Sequence, residues 1–230
     1  YRDGQLLILD EVFSAEQFTA FWNYLQTETY QSAHQQQWNK VFRFLDGNPV
    51  RTRGMVSEFH GDPTACAVDV YPSGTGLDFV LETVLGLKSQ IEAQIGDYRV
   101  VTARAYLYSI GDALSWHTDV SYAGGYIFFA HPEWNAQWGG ELMIAEPSRN
   151  GWRPAPEKVF GRGDAMRLSQ SLGNEQESAW LMETAMGRYV APKPNRLVIV
   201  TGGTFHRIQP VLPAAGDHVR ASVQGFFEAP

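Results

Sequence analysis

The sequence has little cysteine, no long apolar run and no methionine at its start. Cys66 is the one cysteine among 230 residues, so an intramolecular disulfide framework is excluded and a reducing compartment is favoured. No apolar segment approaches the roughly 18 residues that a membrane-spanning helix needs. We therefore predict a cytoplasmic protein, although a chain that begins at Tyr1 leaves a removed signal peptide open.

Positive charge is also scarce. The chain carries 18 basic and 25 acidic residues, a formal net charge of −7, and the basic residues form no run. Proteins that bind nucleic acid need a cluster of lysine and arginine against the phosphates. Neither nucleic acid nor a membrane is therefore a predicted partner, and no pattern indicates an oligomeric state.

Apolar residues are plentiful enough for one sizeable core. They make up 44% of the chain, and no repeat or long linker divides it, which predicts a single domain over residues 1–230. Residues 1–98 read as a helical support region. Apolar side chains recur at helical spacing in 14–30 and 77–95, where Ser14 and Gln17 form a capping-box pattern and Gly96 ends the second helix.

From residue 99 onward, short runs of β-branched and aromatic residues alternate with glycine, proline and aspartate. This pattern predicts an antiparallel β core, and so a mainly β fold with supporting helices. The predicted strands are 99–108, 126–130, 141–145, 197–201, 205–211 and 219–227.

Over residues 147–187 the sequence lacks this regular alternation of apolar runs and turn residues. We interpret this insert as a substrate lid or, alternatively, a plain surface insertion. Its arginines favour an anionic substrate, with ordinary surface arginines as the alternative. These are Arg149, Arg153, Arg162 and Arg167.

Two histidines and an aspartate form a candidate metal site. His117 and Asp119 lie two residues apart and would share one face of a strand, while His206 opens a later strand after the glycines at 202 and 203. Two imidazoles and one carboxylate can hold iron(II) and leave the opposite face open. His-x-Asp alone is common, so a surface histidine near an aspartate stays an alternative.

Three segments, in the correct order, resemble the prolyl-4-hydroxylase-like branch of the 2-oxoglutarate/iron(II) oxygenase superfamily. They are YSIGDALSWHTD at 108–119, GGEL at 139–142 and PKPNRLVIVTGGTFHRIQPV at 192–211. The resemblance covers roughly residues 99–230. It implies a double-stranded β-helix (jelly-roll) core, with iron(II) held by His117, Asp119 and His206 and with 2-oxoglutarate as co-substrate.

The resemblance also implies which residues bind 2-oxoglutarate. Arg220 and Ser222 would hold its distal carboxylate, because arginine binds carboxylates through two parallel hydrogen bonds, and Tyr108 would assist them. Prolyl hydroxylases commonly carry lysine where this chain has Arg220, so the chain departs from that branch here. Residues near the barrel mouth that would contact substrate are Arg104, Trp116 and Trp138.

The implied function is a dioxygenase that uses molecular oxygen to hydroxylate an unactivated C–H bond of a small molecule, an amino acid or specialised metabolite, giving succinate and CO2. Peptidyl-prolyl hydroxylation, desaturation, cyclisation and epimerisation stay open, because they use the same ligands. Asp119 argues against halogenation, for which that carboxylate must be absent. The alternative from a different class is a non-catalytic β-barrel binding protein.

Overall fold

The computed structural model describes residues 1–33, 46–59, 68–119, 122–146, 181–183 and 186–230. Most of the predicted insert at 147–187, including all four of its arginines, lies outside these residues. The lid and its attraction for anions therefore stay predictions. In the part of the chain that the structure describes, no helix is both long and apolar enough to cross a membrane.

The first predicted helix is confirmed as α1, Ala15–Thr27. Its capping box is complete: the Ser14 hydroxyl accepts from the Gln17 backbone N–H, and the Gln17 side chain accepts from the Ser14 backbone N–H. Phe21 and Leu25 form the buried stripe of the helix. The cap and the apolar spacing together explain why the sequence predicted this element well.

The second predicted helix is wrong as a single element. The structure has α2, Leu77–Gly86, and α3, Lys88–Ile95, separated at Leu87. The Leu87 backbone, at φ −91° and ψ 10°, leaves the helical region. Gly86 immediately precedes the break, and glycine weakens a helix interior because it loses the most backbone entropy on ordering.

The strands form two sheets, in which every pair is antiparallel except β4 with β5. The larger sheet contains nine strands of the described chain and the smaller contains four. Strands of the larger sheet are β1 Leu6–Asp10, β2 Gln31–Ser32, β3 Val50–Arg51, β4 Met55–Val56, β5 Asp69–Val70, β6 Val100–Tyr108, β8 Gly124–Phe129, β11 Arg196–Thr201 and β13 Arg220–Glu228. Strands of the smaller sheet are β7 Leu114–His117, β9 Leu142–Ala145, β10 Gly187–Val190 and β12 His206–Ile208.

From β6 onward the chain passes back and forth between the sheets. The larger sheet has the order β1-β11-β8-β13-β6-β3-β2, with β4 and β5 beside β6, and the smaller has β10-β9-β12-β7. Apolar side chains from both sheets pack into one cluster between them, including Ile127, Phe129, Leu142, Ile144 and Val198. The helices cover the other face of the larger sheet. This arrangement is a double-stranded β-helix, as predicted.

Some segments differ from the prediction. Residues 1–98 supply strands as well as helices, since β1 pairs with β11, and β3 and β4 pair with β6. The strand predicted at 205–211 is shorter, His206–Ile208, because Pro210 lacks the N–H that a continued ladder requires. Strand β7, Leu114–His117, is not among the six strands predicted from the alternating pattern.

Candidate metal centre

Strand pairing in the smaller sheet brings the predicted metal ligands together. His117, the last residue of β7, lies directly opposite His206, the first residue of β12. Their ring centroids are 4.3 Å apart, and the His206 Nε2 atom is 3.3 Å from the Asp119 Oδ2 atom. One ligand atom from each of the three residues lies within 4.8 Å of the others. The three side chains could therefore bind one ion.

Asp119 does not reach this position as part of a strand. Strand β7 ends at His117, so the prediction that His117 and Asp119 share a strand face is wrong in detail. Asp119 instead lies just beyond the strand, where its backbone carbonyl accepts a hydrogen bond from the Tyr122 N–H at 3.2 Å. Strand alternation therefore does not account for the direction of its carboxylate towards the histidines.

Both histidines are oriented through their second ring nitrogen. His117 Nδ1 is 2.7 Å from the Ser115 carbonyl oxygen, and His206 Nδ1 is 2.9 Å from the Thr204 carbonyl oxygen. A carbonyl only accepts, so each Nδ1 carries the proton and donates it. The lone pair is thereby on Nε2 of each ring, the arrangement in which metal-binding histidines are held.

A cavity between the sheets opens beside these ligands. Its walls are largely apolar or aromatic, and two glycines leave room near Asp119. It is lined by Tyr106, Leu114, His117, Asp119, Gly125, Tyr126, Ile127, Val200, His206, Ile208, Gln224, Gly225 and Phe226. Such a wall excludes water around a few convergent polar groups, as ligand sites generally do.

Arg220 is fully buried on the inner face of β13, at 0% exposure. Its Nε donates to the Gly140 carbonyl at 2.7 Å and its Nη1 donates to the Ser222 hydroxyl at 3.1 Å. Its Nη2 has no hydrogen-bond partner among the described residues. Burial lowers the pKa of Arg220 to about 10, so the guanidinium stays cationic at neutral pH.

The groups around Arg220 are hydrogen-bond donors. Gln224 Nε2 donates to the Tyr108 hydroxyl at 3.1 Å and to the Ser222 hydroxyl at 3.3 Å. Burial raises the pKa of Tyr108, so its phenol stays protonated. Within the described chain, both the Tyr108 and the Ser222 hydroxyl accept hydrogen bonds, and neither donates its own proton. A buried cation and two hydroxyls thus form a cluster without a carboxylate.

The Gly139-Gly140 pair has a physical role in this cluster. Gly140 has φ +74°, and a Cβ added there would lie 2.8 Å from Arg220 Cδ. A side chain at this position would therefore press on the arginine that the Gly140 carbonyl orients. The pair, which carried part of the sequence resemblance, allows the turn to lie directly against Arg220.

Gln224 and Tyr106 were missed by the sequence analysis, although both line the cavity. Gln224 lies two residues beyond Ser222 on β13, and Tyr106 two residues before Tyr108 on β6. Strand alternation places each on the same face as its predicted neighbour. Continuing the period of two would have identified both.

The residues predicted to contact substrate are dispersed. Trp116 packs against Ala145 and Phe205, and Trp138 packs against a cluster that includes Trp134 and Tyr108; neither tryptophan lines the described cavity. Arg104 lies on β6, two residues from the cavity-lining Tyr106, on the same strand face.

Comparisons with known proteins agree with this architecture. No protein-family model matches the chain, and no curated protein matches it. A Pseudomonas putida prolyl-4-hydroxylase is similar in structure, with TM-score 0.59 and 14% identity, over 98% of this chain and 93% of that chain.

Two further solved structures are also similar. A Trichoplax adhaerens prolyl hydroxylase, in complex with a hypoxia inducible factor peptide fragment, has TM-score 0.55 and 15% identity over 98% of this chain and 84% of that chain. A non-haem alpha-ketoglutarate-dependent epimerase from nogalamycin biosynthesis has TM-score 0.52 and 11% identity over 99% and 79%. The chain therefore has the double-stranded β-helix fold found in 2-oxoglutarate/iron(II) oxygenases.

Proposed function

We propose that the protein is an iron(II)- and 2-oxoglutarate-dependent dioxygenase that hydroxylates a C–H bond of a small molecule, acting in the cytoplasm. The observation that carries the proposal is the pairing of two sites on one fold. A centre of two histidines and one carboxylate lies at the smaller sheet, and a buried arginine that forms no ion pair with any described residue lies on the facing sheet.

The donor set fits iron(II). His117 and His206 would supply their Nε2 lone pairs, because their Nδ1 protons are donated to carbonyl oxygens. Asp119 would supply an anionic oxygen. Two imidazoles and a carboxylate with open positions are the donor set of non-haem iron(II) oxygenases. The carboxylate also offsets part of the charge of a divalent ion.

The cluster around Arg220 fits the distal carboxylate of 2-oxoglutarate. Three donors remain available there: Nη2 of Arg220 and the hydroxyl protons of Ser222 and Tyr108. A buried cation without a partner is costly, and an anion that accepts from all three donors would remove that cost. Gln224 would help by orienting the Ser222 and Tyr108 hydroxyls.

Iron(II) with 2-oxoglutarate supplies the oxidation when bound: oxygen and 2-oxoglutarate are consumed, succinate and CO2 leave, and one oxygen atom is added to the substrate. The protein supplies binding and orientation. His117, Asp119 and His206 would fix the metal, Arg220 would fix the co-substrate, and apolar cavity residues such as Leu114 and Ile208 keep water away.

The test is spectroscopic and catalytic. Iron(II) and 2-oxoglutarate added without oxygen should produce a visible metal-to-ligand absorption band, and adding oxygen should convert 2-oxoglutarate to succinate. His206→Ala should lose iron and both signals, because two ligands hold ferrous iron poorly. The matched control is His218→Ala, since His218 pairs with the exposed Glu133 at 2.9 Å. That variant should keep both signals.

A protein that gives neither the absorption band nor succinate would be a binding protein rather than an oxygenase. Undiminished iron content in His206→Ala would instead overturn the assignment of that residue as a ligand.

A further inference from the structure

The larger sheet carries two more arginines beside the cavity. Arg51 is the last residue of β3 and lies directly opposite Tyr106 of β6, which lines the cavity. Arg104 of β6 lies directly opposite Gln224 of β13, which also lines it. Directly opposed residues in antiparallel strands project to the same face. Both arginines are therefore immediate neighbours of cavity-lining side chains, on the inner face of the sheet.

Neither arginine has an acidic partner among the described residues. The Nε atoms of Arg51 and Arg104 are buried and have no hydrogen-bond partner in that part of the chain. Arg53, close by in sequence, shows the ordinary situation: it is 58% exposed and pairs with Asp69 at 3.3 Å. Buried polar nitrogens are normally hydrogen-bonded, so two buried Nε atoms without partners in the described chain are unusual.

Acids that the structure describes near this region have other partners, and Asp69, beside Gly54, pairs with Arg53. Asp119 belongs to the metal centre. Asp46 is buried, and its Oδ1 accepts from the Ser115 backbone N–H at 2.8 Å and from the Ser115 hydroxyl at 2.6 Å. The anion that would complement Arg51 and Arg104 must then come from outside the described chain.

The backbone makes space for the Arg104 guanidinium. A Cβ added to Gly54 would lie 2.6 Å from Arg104 Nη2 and 3.1 Å from Nε. Gly54 lies between β3 and β4, which pair with successive parts of β6. The Arg104 guanidinium therefore packs against the backbone of Gly54, between the two strands that pair with β6.

We propose that Arg51 and Arg104 bind an oxyanion group of the substrate, a carboxylate or a phosphate, beside the metal centre. Both groups match the planar fork of arginine. This inference rests on the proposed function and deepens it, because it assigns the class of substrate: a small acid. The site is separate from the Arg220 cluster, since Arg220 lies at Tyr108, the far end of β6, and is fully buried.

The two proposed anion-binding sites on this face of the sheet would have different roles. Arg220 is inaccessible to solvent and suits a co-substrate common to every turnover. Arg51 and Arg104 are partly exposed, which suits a substrate that must enter and leave. A substrate held by its anionic group would present a C–H bond at a fixed distance from the metal, and that distance would select the carbon that is oxidised.

The experiment compares Arg51→Gln and Arg104→Gln with Arg53→Gln, which makes the same charge change at an exposed site. The probe is a small-molecule extract, freed of macromolecules, from cells that carry the gene. Portions are treated with carbodiimide and ammonia to convert carboxylates to amides, or with phosphatase to remove phosphate. Fresh 2-oxoglutarate is then added, and succinate formation is measured with and without extract.

Untreated extract should stimulate succinate formation. Amidation should abolish the stimulation if the group is a carboxylate, and phosphatase should abolish it if the group is a phosphate. Arg51→Gln and Arg104→Gln should each need about tenfold more extract, since an arginine hydrogen bond to an anion is worth at least a factor of ten. Arg53→Gln should respond like the parent protein and should keep the basal succinate formation seen without extract.

Stimulation that survives both treatments, an extract that gives no stimulation, or variants that respond like Arg53→Gln would each overturn the acid-binding site. Basal succinate formation and the absorption band report on the proposed function separately. If they persist while the acid response fails, only the substrate class is wrong. If they are absent, the oxygenase proposal itself fails.

Discussion

His131 is an interior histidine, and its position makes folding sensitive to pH. It is 1% exposed, with Nε2 2.7 Å from the Pro192 carbonyl oxygen and Nδ1 3.1 Å from the Ala221 carbonyl oxygen. Burial lowers the pKa of His131 to about 4, with the cation of Arg220 acting in the same direction. The neutral ring is the form that the folded protein prefers.

The sign of the pH effect follows from this lowered pKa. The unfolded histidine titrates near pH 6.5, so its contribution to stability is complete above that pH and is lost as pH falls towards 4. Between pH 7 and pH 5 the loss should be about 2 kcal/mol. Urea unfolding at both values, compared with His131→Asn, measures it. The asparagine amide has two donors for the carbonyls and does not titrate, so equal pH slopes in the two proteins would contradict the assignment.

At the scale of elements, the turn before β9 controls the residue that is proposed to bind 2-oxoglutarate. Gly140→Ala combines the strain of φ +74° with a contact at 2.8 Å to Arg220 Cδ. We expect it to lower the free energy of unfolding by about 1 to 3 kcal/mol and to weaken 2-oxoglutarate binding. Urea unfolding and titration of the anaerobic absorption band measure the two effects.

Gly74→Ala is the control for backbone strain alone. Gly74 has φ +77°, and a Cβ there would meet nothing within 4 Å. This variant should lose a similar part of its stability through strain and keep the affinity for 2-oxoglutarate. If both variants bound 2-oxoglutarate equally well, the turn at Gly140 would have no role in co-substrate binding.

The helices also show where a local sequence pattern is sufficient to predict an element. α1 follows its predicted bounds closely because its cap and apolar stripe are both local in sequence. The division at Leu87 was not predicted, because apolar spacing runs through 77–95 without interruption and only the backbone shows where the helix ends. Likewise Asp119 lies beyond the end of β7, where alternation along a strand no longer applies.

At the scale of the whole molecule, ligand binding should raise the free energy of unfolding. The buried guanidinium of Arg220 lacks an anion in the described chain, so 2-oxoglutarate bound to the Mn(II)-loaded protein, which does not turn over, should stabilise the folded state. At a concentration about 100 times the dissociation constant the gain is ~2.7 kcal/mol. For a domain of 230 residues this raises Tm by about 5 to 10 °C.

Arg220→Met separates binding from folding. It removes a buried cation without replacing it by a cavity, and such replacements are often neutral for stability. The variant should fold and lose most of the rise in Tm on adding 2-oxoglutarate, while Arg53→Gln should keep it. A full rise in Arg220→Met would place the co-substrate carboxylate elsewhere.

Residue type and short-range spacing predicted the mainly β fold class and the three candidate metal ligands, while the Arg220-Ser222 pair was predicted through resemblance to a known family. Strand alternation can be recognised in a short stretch of sequence. The ability of histidine, aspartate and arginine to bind metals or anions follows from residue type. The same alternation, continued by two residues along each strand, would also have predicted Gln224 and Tyr106.

Only the tertiary structure decided which of these residues meet. His206 reaches His117 through pairing of β12 with β7, and Arg51 reaches Tyr106 through pairing of β3 with β6. Register between strands distant in sequence is set by packing of both sheets around their shared core, which no local pattern records. Because of the same packing, Trp116 and Trp138 do not line the cavity. It also places Arg51, Arg104 and Arg220 on the inner face of the larger sheet.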